Sequence, residues 1–217
     1  MTARGPAFPG ADVFERPHPD APARRLARAA TVALLLAGVI GAVALRILLL
    51  RFPLTAPPEG LVFGGALLVL AAAAGSRIPS LSRRVLATGL AGGGVLVLVP
   101  LGLDLVNRGG FAGPVVGTNG GLYAPAWVVV TLVVACGEEA VLRGALFRVC
   151  LRPLGIVGTL LLTSAVFALI HLPFYGWGAI PLDFAVGVWL GGLRLASGSA
   201  AAAAIAHSVA DLAAWWL

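Results

Sequence analysis

Apolar residues run along this chain in long blocks separated by short polar breaks, and the blocks predict helices long enough to cross a bilayer. The run from Ala29 to Leu50 reaches the roughly 20 apolar residues that a helix needs to cross a hydrocarbon core. Further runs cover Gly60 to Gly75, Val85 to Leu103, Ala124 to about Cys150, Leu154 to Phe174, Ala179 to Leu195 and Ser199 to Leu217. The first of these six, Gly60 to Gly75, is short. Residues 1–28 differ: they hold five prolines, mixed charges and no apolar periodicity, so they read as a disordered cytoplasmic tail. A cleaved signal peptide would carry its charges nearer the apolar run and end in a small-residue cleavage site, so the first run is expected to be a retained helix. The expected fold is therefore all-α, a polytopic transmembrane bundle of about seven spans over residues 29–217.

Composition agrees with this picture. Of 217 residues, 59% are hydrophobic and 11% charged, where a soluble domain carries about a quarter charged. An ordinary soluble domain and a disordered chain are both excluded. The net charge of +6 is not a nucleic-acid signature, because the arginines are scattered between apolar runs instead of forming a basic face. They fit membrane orientation instead. Arg24, Arg25, Arg28, Arg77, Arg83, Arg84, Arg148, Arg152 and Arg194 fall on one side of alternating spans, with Arg51 and Arg108 opposite. That pattern predicts a cytoplasmic N-terminus and an external C-terminus in an integral, multi-pass protein, with the plasma membrane as its expected location. Tyr123, Trp127, Tyr175, Trp177, Trp215 and Trp216 cluster at the expected outer ends, as interfacial aromatics do. Ala91-Gly92-Gly93-Gly94 and Gly191-Gly192 are expected at close helix contacts. Arg46 is expected to snorkel outward, and Asp104 and Asp183 to sit near water at outer helix ends. Cys136 and Cys150 lie too far apart on one helix to pair, and no CxxC motif is present.

Six ionisable residues fall inside the predicted spans, where charge costs at least about 2.5–3.5 kcal/mol per group. Glu138, Glu139 and Arg143 lie on the fourth, His171 on the fifth, and His207 and Asp211 on the seventh. Glu139 and Arg143 are one turn apart on one face, placed to form an ion pair. Glu138 is rotated about 100° from its neighbour and is free to point into a cavity. Phe167 with His171, and His207 with Asp211, repeat the one-turn spacing. Counted from a turn near Pro153, Glu138 and His171 fall at similar depths. Counted from Gly198, His207 is shallower by about two turns, unless the hairpin of the fourth and fifth spans protrudes into the cytosol. Glu138 with His171 is suited to activating water, and His207 with Asp211 to stabilising an oxyanion. The set Glu138, His171, His207 and Asp211 also has the chemistry of a Zn²⁺ ligand set, although no HExxH motif is present. Zinc and no cofactor are both open at this point.

The segments Gly137-Glu138-Glu139-Ala140-Val141-Leu142-Arg143, Phe167-Ala168-Leu169-Ile170-His171 and His207-Ser208-Val209-Ala210-Asp211 resemble the EExxxR, FxxxH and HxxxN/D signatures of the CPBP family. That family comprises type II CAAX prenyl endopeptidases and Abi bacteriocin-immunity proteins. The stretch Gly187 to Arg194, with Ser197-Gly198-Ser199 and Ala204 to His207, resembles the family's last helical hairpin, and the likeness covers residues 123–217. The resemblance implies an intramembrane endopeptidase of glutamic or metallo type whose catalytic residues lie on three helices of the C-terminal half. It implies Glu138 as general base, His171 as its partner, His207 and Asp211 at the oxyanion, and Glu139, Arg143 and Phe167 in support. Asp211 stands where many relatives carry Asn, which leaves it three roles: a neutral donor, a partner orienting His207, or a metal ligand. The implied partners are the bilayer and a peptide or protein substrate near the membrane, lipid-modified or not, with no nucleic acid. A proton- or metal-coupled transporter and a non-catalytic scaffold or immunity protein are the alternative readings.

Overall fold

The computed structural model describes residues 22–51, 58–76, 80–107 and 124–214. Among them all regular structure is helical. The elements are α1 (Pro22–Leu49), α2 (Pro58–Ala73), α3 (Arg83–Asn107), α4 (Ala124–Glu139), a π-helical segment (Ala140–Leu146), α5 (Phe147–Tyr175), a 3₁₀ turn (Trp177–Ala179), α6 (Ile180–Ser197) and α7 (Ala200–Ala213).

The distribution of polarity is the reverse of a soluble domain. Leu34, Ile40, Val69 and Val157 are each about 70% exposed, while Glu139 and Arg143 are fully buried. Burying charge while exposing large aliphatic side chains is stable only where the surroundings are apolar. Among the described residues, three helical stretches are long and apolar enough to cross a membrane: Pro22–Leu49, Pro125–Tyr175 and Trp177–Ser197. The apolar helices α2 and α7, with 16 and 14 residues, fall short of the full-span length of about 20.

Helix α1 begins earlier than the sequence suggested. Residues 22–28, read as the end of a disordered tail, form its first turns. Pro22 occupies a first-turn position that tolerates proline, and the Ala, Arg and Leu residues that follow are strong helix formers. The rest of that tail reading, residues 1–21, lies outside the described residues, as do Tyr123, Trp215 and Trp216.

Gly155 interrupts α5 with φ 66° and ψ −175°, a backbone region essentially restricted to glycine. The chain reverses there. Arg143, twelve positions before Gly155, lies 4.8 Å from the ring of Phe167, twelve positions after it. The hairpin therefore turns within two residues of Pro153, as expected. Helix α6 docks lower on it: Arg194 donates to the Arg143 carbonyl at 3.1 Å and lies over the Phe147 ring. Gly198, one turn beyond Arg194, is thus level with Phe147, and the hairpin extends about 12 Å further to Gly155. His207 and Glu138 are each nine positions from that common level. The two-turn mismatch expected from the sequence is removed by this protrusion.

Small residues let the helices approach closely. A Cβ on Gly137 would sit 2.6 Å from the Gly64 carbonyl oxygen, which locks α2 against α4 beside Glu138. On α3, a Cβ on Gly93 would fall within 3.0 Å of Val209 and the Ala206 carbonyl of α7, beside His207. The arginine-bearing ends also gather at one end of the bundle. Arg84 donates to the Ala196 carbonyl at the end of α6, Arg148 donates to the Ala74 carbonyl beyond α2, and Arg28 shares a groove with Arg148 and Arg152. Cations beside the last carbonyls of helices complement the helix dipoles.

Candidate active site

The site is assembled around Glu139. Its Oε1 accepts a hydrogen bond from Arg143 Nη1 at 2.7 Å and one from His207 Nδ1 at 3.2 Å. The other terminal nitrogen of Arg143, Nη2, donates to the Gly187 carbonyl at 2.9 Å. One guanidinium therefore ties the π-helical segment to α4 and α6. Gly187 permits this contact, because a Cβ there would lie 2.9 Å from the Ser164 backbone and push α5 and α6 apart. The π-helical segment starts directly after Glu139 and carries Arg143, a placement common for such wide turns at functional sites.

Phe167 holds the imidazoles. Its ring centroid is 4.6 Å from that of His171 and 5.4 Å, edge-on, from that of His207, and the Arg143 guanidinium covers it as well. His171 Nδ1 lies 2.8 Å from the Phe167 carbonyl. A carbonyl only accepts, so Nδ1 carries the proton, and in the neutral ring Nε2 is the lone-pair nitrogen. In His207 the Nδ1–H donates to Glu139 in the same way, which leaves Nε2 toward Asp211 Oδ2 at 3.4 Å and Glu138 Oε2 at 4.0 Å.

Two adjacent glutamates thus have different surroundings. The Oε2 atoms of both are buried with no hydrogen-bond partner among the described residues, but Glu139 is held through Oε1 by Arg143 and His207, whereas the nearest charged group to Glu138 is His207 Nε2 at 4.0 Å. The expected set is brought together: Glu138, Glu139, Arg143, His171, His207, Asp211 and Phe167 are joined through one chain of contacts. The Asp211 side chain is the exposed member, at 43%.

Both Nδ1 atoms are bonded within the protein, so a metal ion would have to be taken through the Nε2 atoms of His171 and His207 together with Glu138 and Asp211. Among the described residues, no three His, Cys, Asp or Glu side chains are disposed to hold a metal ion.

Several contributors differ from their expected roles. Asp183 lies in the first turn of α6, at a helix end as expected, but its Oδ2 is buried without a partner among the described residues and it is within electrostatic reach of His171 and His207. The α5–α6 connection is only residues 176–179, which sets the first turn of α6 beside the last turn of α5. Tyr175, expected as an interfacial anchor, stacks on His171 with centroids 5.7 Å apart at 20°. Arg194 supports the π-helical segment through the Arg143 carbonyl, beyond any part in orientation. Arg46 does not extend outward; its guanidinium lies against the rings of Phe63 and Phe174.

The fold and site define a helical protein with membrane-type exposure and a buried Glu/His/Arg cluster on its C-terminal helices. Residues 120–213 match a family model, described as type II CAAX prenyl endopeptidase Rce1-like, so this part of the chain is similar to that family. All seven residues of the cluster fall within the matched range. No curated protein and no solved structure matches the chain.

Proposed function

We propose that the protein is an intramembrane endopeptidase that hydrolyses a peptide bond with water activated by Glu138. The observation that carries this reading is the contrast between the glutamates: Glu139 is held through Oε1 by Arg143 and His207, while the buried Glu138 carboxylate makes no hydrogen bond among the described residues and lies beside the His207 imidazole. Glu138 takes the proton of the attacking water, whose other hydrogen bonds to His171 Nε2. His207, as the imidazolium that donates from Nδ1 to Glu139 and from Nε2 into the site, stabilises the oxyanion as the carbonyl becomes tetrahedral. Glu138 then returns the proton to the leaving amine, so the reaction consumes one water and leaves the enzyme unchanged. No step requires a metal.

Asp211 is read as the partner that orients His207, because its carboxylate faces Nε2. Asp211→Asn keeps an acceptor toward His207 and adds N–H donors, so its rate should stay within about tenfold of the wild type. Asp211→Ala should lose about 10²-fold or more, the usual effect of removing one oxyanion-site group. Steady-state rates of the two variants check the assignment; equal losses would contradict it.

The proposed topology has about seven membrane segments and a cytoplasmic N-terminus in the plasma membrane, with the arginine-bearing end of the bundle facing the cytoplasm. The proposed substrate is a prenylated peptide at the membrane, the chemistry named in the family's description. Purified protein in detergent should cleave an S-farnesyl tetrapeptide, with the products identified by mass spectrometry. The same cleavage should persist in excess chelator. Loss of activity in chelator with recovery on adding Zn²⁺ would overturn the metal-free mechanism.

A further inference from the structure

Arg46 belongs to the last turn of α1, outside the family-matched region. Its guanidinium carbon lies 5.0 Å from the Phe63 ring centroid on α2 and 4.5 Å from that of Phe174 on α5. Its Nε is buried with no hydrogen-bond partner, and none of the ion pairs among the described residues includes it. Aromatic faces offset part of the cost of holding a cation in apolar surroundings, but they do not neutralise it. Phe174 is three positions after His171 and next to Tyr175. Tyr175 is in turn within electrostatic reach of Arg46, Asp211, Glu138 and Asp183. A cation with no ion-pair partner among the described residues therefore stands beside Tyr175, the ring that stacks on His171 and is within electrostatic reach of Glu138, Asp183 and Asp211.

We propose that Arg46 anchors a carboxylate of the substrate and so sets which peptide bond meets Glu138; this rests on the peptidase reading above. The guanidinium fork matches a carboxylate with two parallel hydrogen bonds. Glu138, Asp183 and Asp211 repel a substrate carboxylate elsewhere in the pocket, which leaves Arg46 as the place that accepts it. The carboxylate comes from the peptide C-terminus or from an acidic side chain near it, and the test separates these sources.

Binding is measured without turnover, using Glu138→Gln protein in detergent micelles and three dansyl-labelled S-farnesyl tetrapeptides. One ends in a free carboxylate, one is its C-terminal amide, and one is an amide with glutamate as the last residue. The free acid, the glutamate peptide or both should bind about 10- to 100-fold more tightly than the plain amide, the range for a charge-assisted hydrogen-bonded contact. Tighter binding of the free acid assigns the C-terminus; tighter binding of the glutamate peptide assigns the side chain. Arg46→Met in the same background should erase the difference without lowering the melting temperature, because methionine keeps apolar packing against Phe63 and Phe174, a buried charge is removed and the Nε has no hydrogen bond to lose. Equal affinity for all three peptides, including no binding by any, overturns the proposal. So does a difference that survives Arg46→Met, or a melting temperature that falls while discrimination is kept. Equal affinity is also the result expected if a lipid phosphate occupies Arg46. Failure of the peptidase reading would appear separately, as no turnover by the wild-type protein while the binding difference remains.

Discussion

An Arg143→Met variant should lose about 3–5 kcal/mol of stability, the usual consequence of removing one member of a buried ion pair. Arg143 and Glu139 are both fully buried, and the guanidinium also bonds the Gly187 carbonyl. Methionine fills much of the same volume, so the loss reflects an unpaired carboxylate and an unpaired carbonyl more than a void. Arg143→Lys should not rescue it, because a single ammonium does not reproduce the fork that serves both acceptors at once. Adding Glu139→Gln to Arg143→Met should recover part of the loss, since the stranded charge is then removed. Thermal unfolding in one detergent across this cycle is the check. A folded Arg143→Met protein melting with the wild type would show that the pair does not support the site.

The neighbouring glutamate should behave in the opposite way. Glu138→Gln changes little in volume and breaks no hydrogen bond at Oε2, so its melting temperature should match or exceed that of the wild type. Its turnover should fall by about 10³-fold or more, toward the upper end of what general acid–base catalysis contributes. An amide does not take a proton from water at neutral pH, and the loss should therefore fall on kcat while peptide binding is retained. Adjacent residues of the same type are thus expected to separate cleanly, one affecting the fold and the other the rate.

Much of the site was legible in the sequence because its parts repeat at one helical turn. Glu139 with Arg143, Phe167 with His171, and His207 with Asp211 are local relations, and local helix geometry alone places each pair on one face. What the sequence left open depended on how helices dock. The shared level of His207 and Glu138 follows from α6 meeting the hairpin at Arg143 and Phe147, about 12 Å short of its tip, and no spacing encodes that. The π-helical turn after Glu139 has no signature in Ala140–Leu146 that separates it from an α-helix. Arg46 and Asp183 were misplaced for a related reason. Each lies near a helix end, where water is the default neighbour, but aromatic packing and the short α5–α6 turn direct them inward.

These positions also explain why the charged cluster is tolerated in membrane-type surroundings. Arg143 and His207 both bond Glu139 Oε1, at 2.7 and 3.2 Å, and Phe167 packs against the assembly. Of the remaining carboxylates, Glu138 and Asp183 lie within electrostatic reach of both His171 and His207, and Asp211 of His207. That division between a paired support and carboxylates gathered on the imidazoles is the basis of the proposed chemistry.

The most direct measurement is the cleavage rate of an S-farnesyl tetrapeptide by wild-type and Glu138→Gln protein, purified side by side and matched for folded fraction by thermal unfolding. The expected result is cleavage by the wild type and a loss of about 10³-fold or more in the equally stable variant. A well-folded Glu138→Gln protein that cleaves within tenfold of the wild-type rate would contradict the assignment of Glu138 as the catalytic base.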